Sequence, residues 1–157
     1  MLWQRSHRFD ERSRLLADRH YNRRKIGSPQ FMPPGRCCVF YAETETGEAF
    51  WGSAWPFAQY VRHAWAGAWM CTAFRNEGAA LSSDLIIQAV AATRAHWGEP
   101  PALGMVTFVD TKKTRPKRSP GYCYLRAGFI YVGETKAGLK AFQLLPSDMP
   151  PPEPCRV

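Results

Sequence analysis

The sequence predicts a single α/β domain built on one central, mixed and mostly antiparallel sheet flanked by helices. Three observations predict it. Short apolar runs bounded by turn residues recur along the chain, as strands do. One longer segment, residues 81–97, instead places Leu85, Ile86, Ala89, Val90 and Thr93 at helical spacing. The chain has 157 residues, 45% of them apolar and 13% aromatic, which is the size and composition of one domain with its own core.

Taken in order, residues 9–19 predict a short helix, with Leu15 and Leu16 as its apolar edge. Asn22 to Gly35 holds Gly27, Pro29, Pro33, Pro34 and Gly35 and predicts a loop. Cys37 to Ala42 and Ala49 to Trp55 form a hairpin, in which Gly47 is expected to supply the tight backbone. Residues 57–67 are aromatic and irregular. Ala68 to Phe74 predicts a third strand, and Arg75-Asn76-Glu77-Gly78 a loop. The long helix follows, capped by Ser82 or Ser83 and stopped by Gly98 and Pro100-Pro101. Leu103 to Val109 is almost wholly apolar, which predicts a central strand. Pro120 to Ala127 predicts a short helix, and Phe129 to Gly133 and Leu139 to Leu145 the last two strands. The domain is expected to span residues 1–145, and the Pro-rich tail, 146–157, to be a disordered end.

Charge narrows the partners. The net charge is +8. Residues 1–36 carry nine Lys/Arg against three acids, and Lys112, Lys113, Arg115, Lys117 and Arg118 fall within seven residues. Two basic patches on a folded domain point to a polyanion, most simply double-stranded DNA, whose binding would weaken steeply with salt. The same residues also serve as a solubilising surface, or as a loop that holds the phosphates of a small cofactor. No apolar run approaches the roughly 20 residues of a membrane span. Residues 1–8 contain no apolar core of a secretory leader, so a cytoplasmic protein is expected. Five cysteines, an odd number without a C-x-x-C pair, predict reduced thiols and not a zinc site.

Two segments carry chemistry. Strand 69–74, Arg75 to Gly78 and the helix after it bring a loop to a helix N-terminus. That is either an ordinary connection or a phosphate cradle of free N–H groups. Near the C-terminus, Tyr124 lies four residues before Gly128 in Tyr124-Leu125-Arg126-Ala127-Gly128-Phe129. This segment resembles the closing motif of the GNAT acyltransferases, and the resemblance covers about residues 37–145. It implies a GNAT-like domain, acetyl-CoA or a related acyl donor as cofactor, and Tyr124 as the acid that protonates the departing thiolate. It places the donor at Arg75, Asn76, Gly78, Ser82 and Ser83. The family's Gln/Arg-x-x-Gly-x-Gly/Ala loop is kept at Arg75, Gly78 and Ala80. It is followed here by Leu81-Ser82-Ser83 in place of the usual basic or small residues.

A narrower resemblance rests on Asp18-Arg19-His20-Tyr21, Gly27 to Phe31, Phe74 to Gly78, Ser82-Ser83, Thr107 to Asp110 and the Lys/Arg loop. These patches resemble the Mom-like proteins of phage Mu and its relatives, a divergent GNAT branch. That resemblance implies a small-molecule donor and conversion of adenine N6 in phage DNA to a carbamoylmethyl form, which protects it from host restriction. It also implies iron held by His20, Tyr21 and Asp110. A His, a phenolate and a carboxylate are reasonable N/O ligands for iron. Asp110 alternatively serves as a general base for an exocyclic amine. Adenine N6 lies inside the duplex and must be flipped out and stacked. Tyr60, Trp55, Trp65 and Trp69 are the aromatics available, unless they belong to the core. Two other readings stand beside this one: an acetyl-CoA-dependent N-acetyltransferase acting on a protein or small amine, and a DNA-binding protein without activity.

Overall fold

A computed structural model of the chain describes residues 1–113 and 120–157, so the predicted phosphate contacts Arg115, Lys117 and Arg118 lie outside the described residues. The predicted order of elements is present, with one addition at the start. Strand β1 (Gln4–Arg5) precedes helix α1 (Glu11–Asp18), strands β2 (Cys37–Thr44), β3 (Gly47–Ala54) and β4 (Trp69–Glu77), helix α2 (Ser82–Trp97), strand β5 (Met105–Val109), helix α3 (Tyr122–Arg126), and strands β6 (Ile130–Glu134) and β7 (Lys140–Leu144). They form one sheet of order β1-β2-β3-β4-β5-β7-β6, in which β4 and β5 run parallel and every other neighbour pair antiparallel. The mixed, mostly antiparallel α/β sheet is as the sequence predicts.

Each face of the sheet buries a helix for a reason visible in the chain. On one face α2 turns Leu85, Ile86, Ala89 and Val90 inward, all fully buried, against Phe40, Trp51 and Trp69. On the other, α1 packs Leu16 and Ala17 against Val39, Tyr41 and Phe50, whereas Leu15 is 44% exposed and stays outside. Asp10 caps α1, accepting the Arg12 backbone N–H at 3.0 Å. Neither Ser82 nor Ser83 caps α2; its N-cap is Leu81, with no side-chain bond.

Two glycines differ from, or add to, the expectation. Gly47 has no positive φ, so the hairpin does not need it for its turn. A Cβ there would sit 2.0 Å from the Glu77 carbonyl oxygen, so the glycine lets the end of β4 pass close to the hairpin. Gly104, just before β5, has φ +68° and would place a Cβ 2.0 Å from the Leu144 carbonyl oxygen.

The tail is not loose. Glu153 N–H donates to the Ala91 carbonyl at 3.0 Å, Arg156 N–H to that of Trp3 at 2.8 Å, and the Arg94 guanidinium to that of Pro150 at 2.7 Å. Composition predicts disorder here because proline forms no regular element. These bonds to α2 and to Trp3, which precedes β1, give the segment order without one. Among the described residues no helix is long and apolar enough to cross a membrane.

Candidate functional site

The site begins where the sheet opens. β4 and β5 pair only at Trp69↔Met105, Met70↔Val106 and Cys71↔Thr107, then diverge. A gap between the carboxyl ends of parallel strands is where an open α/β sheet exposes backbone and accepts a ligand. Here it is lined by Thr72, Phe74, Phe108 and Tyr124 together with the turn that follows α1, and encloses about 150 Å³. A larger cleft of about 530 Å³ adjoins it, with Met70, Thr72 and Phe108 on β4 and β5, Arg24 from the loop and Asp110 with Lys113 after β5. Tyr21, Asn22, Thr72 and Phe108 line both.

The turn after α1 is fixed by its own side chains. Arg23 donates to Asp18 at 2.7 Å, to the Gln30 carbonyl at 2.9 Å and to the Ser28 carbonyl at 2.5 Å. Its side chain is only 8% exposed, so it ties the loop together and is not available to DNA phosphates. Asn22 donates to the Thr72 carbonyl at 2.9 Å, and its amide oxygen lies 2.6 Å from His20 Nδ1. The rings of His20 and Tyr21 stack at 4.5 Å, tilted by 27°. The Asp110 backbone N–H donates to Tyr21 Oη across 3.4 Å. The segment around residue 20 therefore folds against the end of β5, as the predicted trio requires.

Electrostatics sets the protonation states. Burial holds the His20 imidazole below its ordinary range, outweighing the Asn22 hydrogen bond that pulls the other way. Burial raises the Tyr21 phenol and pushes that of Tyr124 well above ordinary. Cys71, beside Tyr124 at 3.7 Å, is driven up to about 12 by burial and is inert as a thiolate. Tyr124 carries its proton through the neutral range, as a general acid must, although the same burial weakens it as an acid.

Tyr21 is the member of the predicted trio that lines both cavities. His20 and Asp110 line different cavities. Asp110 Oδ1 accepts the Lys112 N–H at 2.9 Å, and His20 Nδ1 bonds Asn22, which leaves Nε2 as the ring nitrogen for a ligand. Among the described residues no three His, Cys, Asp or Glu side chains converge. The proposed ligands are thus divided between two adjoining cavities, and the proposed transfer uses no iron.

The predicted donor loop also differs from expectation. Arg75 and Asn76 belong to β4, not to a loop. Arg75 Nε donates to Glu77 at 2.5 Å and its guanidinium to the Arg19 carbonyl at 2.9 Å. The N–H groups of Gly78 and Ala79 donate to Asn76 Oδ1 at 3.1 and 3.0 Å, and Asn76 Nδ2 donates to Ser82 Oγ at 2.9 Å. The loop is satisfied from within. What it leaves for a phosphate is the first turn of α2 at Ser82 and Ser83, whose N–H groups have no partner in the helix.

Glu77 accepts from both Arg19 and Arg75, and these hydrogen bonds, Arg19 first, lower its carboxyl to about 2. The folded value lies below the unfolded one of roughly 4.3. Its contribution is thus present above that unfolded value and lost as pH falls toward 2. Urea unfolding of Glu77→Gln is expected to show a deficit against wild type at pH 7 that shrinks below about pH 4.3. A deficit constant from pH 7 to pH 3 would show that the carboxylate charge contributes nothing.

Of the predicted aromatics, Trp69 is fully buried and Trp55 packs on it and on Trp97, at 5.7 and 5.6 Å. Trp65 packs on the cleft-lining Phe108, ring centroids 5.8 Å apart, whereas Tyr60 is 74% exposed. Lys112 and Lys113 are exposed, and Lys113 lines the cleft. Sequence reasoning misses Asn22 and Thr72. The one signal for Asn22 is its place next to His20-Tyr21, and nothing marks Thr72. Scans of the chain against family models, curated proteins and solved structures give no match.

Proposed function

We propose that the protein is a transferase on a GNAT-like scaffold that modifies the exocyclic amine of adenine in DNA. One observation carries this reading: Tyr21 meets Asp110 at the mouth of the β4/β5 gap, beside a cleft edged by Arg24 and Lys113. A flipped base needs an aromatic floor, a proton acceptor at its amine and cations for the phosphates around it. Phe108, Asp110, Arg24 and Lys113 supply them in that order. The smaller cavity, between Tyr21 and Tyr124, has room for the reactive end of an acyl donor such as acetyl-CoA or a relative.

In the proposed transfer the adenine N6 attacks the donor carbon, and Asp110 takes the proton that N6 loses. The bond from that carbon to the donor's sulfur breaks, the Tyr124 hydroxyl gives its proton to the thiolate, and the tyrosinate regains one from water as Asp110 releases the proton it took. His20, neutral and stacked on Tyr21, keeps the phenol in place, and Asn22 ties His20 to β4. The test is to digest DNA from cells that express the chain and weigh its nucleosides. A heavier deoxyadenosine is the expected result. Unmodified deoxyadenosine alongside an acylated protein or small amine would replace this reading with the N-acetyltransferase one.

A further inference from the structure

The two loops that meet beside the cleft share an unusual property: neither residues 22–36 nor residues 55–68 contain any of the chain's 13 acids. They contain Arg24, Lys25, Arg36 and Arg62, all exposed and without an ion pair among the described residues. The loops are joined where Trp55 N–H donates to the Arg36 carbonyl at 3.0 Å and the Arg36 guanidinium lies 4.5 Å from the Trp55 ring and 4.7 Å from that of Phe57. A short 3-10 turn, Ala58–Tyr60, then presents two rings to water. Phe57 is 59% and Tyr60 74% exposed, and their centroids are 6.5 Å apart. The first loop reaches the cleft through Arg24, and the second adjoins it, with His63 and Trp65 packed on the cleft-lining Phe108 at 5.1 and 5.8 Å.

We propose that this surface holds an unpaired DNA strand next to the cleft, with bases stacked on Phe57 and Tyr60 and phosphates met by Arg36 and Arg62. The proposal rests on the reading of DNA as substrate and adds a site outside the reaction centre. Cations alone would serve a duplex, because a duplex hides its base faces and shows only phosphate. Exposed rings interleaved with cations serve a strand whose bases are open. Arg36 is suited to both tasks. Its planar face lies on aromatic rings, while its N–H edge stays free to donate to a phosphate. An enzyme that modifies a base either flips it from the duplex or takes it from an unpaired strand, and this surface suits the second route.

The test is fluorescence anisotropy with a labelled mixed-sequence single strand, and the duplex of the same sequence, on the full chain. Phe57→Ala with Tyr60→Ala is expected to weaken the single-strand complex by about tenfold or more per ring and the duplex complex by less than about twofold. Tyr60→Phe, which keeps the ring, is expected to bind as wild type does. Both side chains are exposed, so thermal unfolding checks that the fold survives. No single-strand binding by wild type, or equal losses on both DNA forms, would overturn the proposal. Binding of both forms left unchanged by the double substitution would likewise overturn it and point to charge alone. A chain that binds single strands through these rings yet leaves deoxyadenosine unmodified would keep this surface and sink the adenine reading instead.

Discussion

Asp110→Asn is expected to lower adenine modification by about 10²- to 10⁴-fold, the range in which a positioned general base acts. The substitution isolates that role. Asn keeps a side-chain oxygen for the Lys112 N–H that Asp110 accepts at 2.9 Å, so the turn leaving β5 is preserved. It leaves untouched the backbone N–H that reaches Tyr21 Oη. What is lost is the ability to take a proton from an amine whose lone pair is conjugated with the purine ring. The rate of modified deoxyadenosine formation measures this, with thermal unfolding and duplex binding as controls expected to stay near wild type. A wild-type rate would remove Asp110 from the reaction. Loss of duplex binding along with the rate would make it a binding residue. Asp110→Ala is less informative, because it also removes the acceptor for Lys112.

The contrast between Asp110 and Arg75 shows which parts of the site were legible in the chain. Asp110 follows an apolar strand, and a polar residue there faces the opening of the sheet whatever surrounds it. Arg75 was expected in a loop because Asn76 and Gly78 read as turn residues. β4 instead continues to Glu77, since Arg75 and Asn76 pair with Phe50 and Ala49 of β3. Those partners are distant in sequence, and local propensity carries no trace of them. Arg23, one of the nine cations of residues 1–36, shows the same limit. Its charge suggests a phosphate contact, but Asp18 and two loop carbonyls take it first. α2 was legible because its burial follows its own period, with Leu85, Ile86, Ala89 and Val90 inside. The two-residue β1 and the order in the tail depend on Trp3. Its indole N–H donates to the Leu85 carbonyl at 2.8 Å, and its carbonyl accepts from Arg156.

The largest loss of stability is expected at Trp69→Ala, about 3 to 5 kcal/mol by urea unfolding. That is a large part of the 5 to 15 kcal/mol a domain of this size typically has. Trp69 is fully buried and packs edge-on to Trp55 at 5.7 Å and tilted on Trp97 at 5.6 Å. Its removal leaves a void bounded by two large rings that cannot both close on it. Trp69→Phe is expected to cost only about 1 to 2 kcal/mol, because it keeps a ring and removes an indole N–H that has no partner among the described residues. A loss from Phe equal to that from Ala would show that the N–H is bonded after all. Trp69 also bears on function through its place in the sheet. It forms the first rung, with Met105, of the three-rung parallel pair that sets the mouth of the gap. Loosening one rung in three lets β4 and β5 shift where Tyr21 and Asp110 meet. Activity of Trp69→Ala is therefore expected to fall further than its unfolded fraction accounts for, and activity tracking the folded fraction alone would separate the packing of this tryptophan from the geometry of the site.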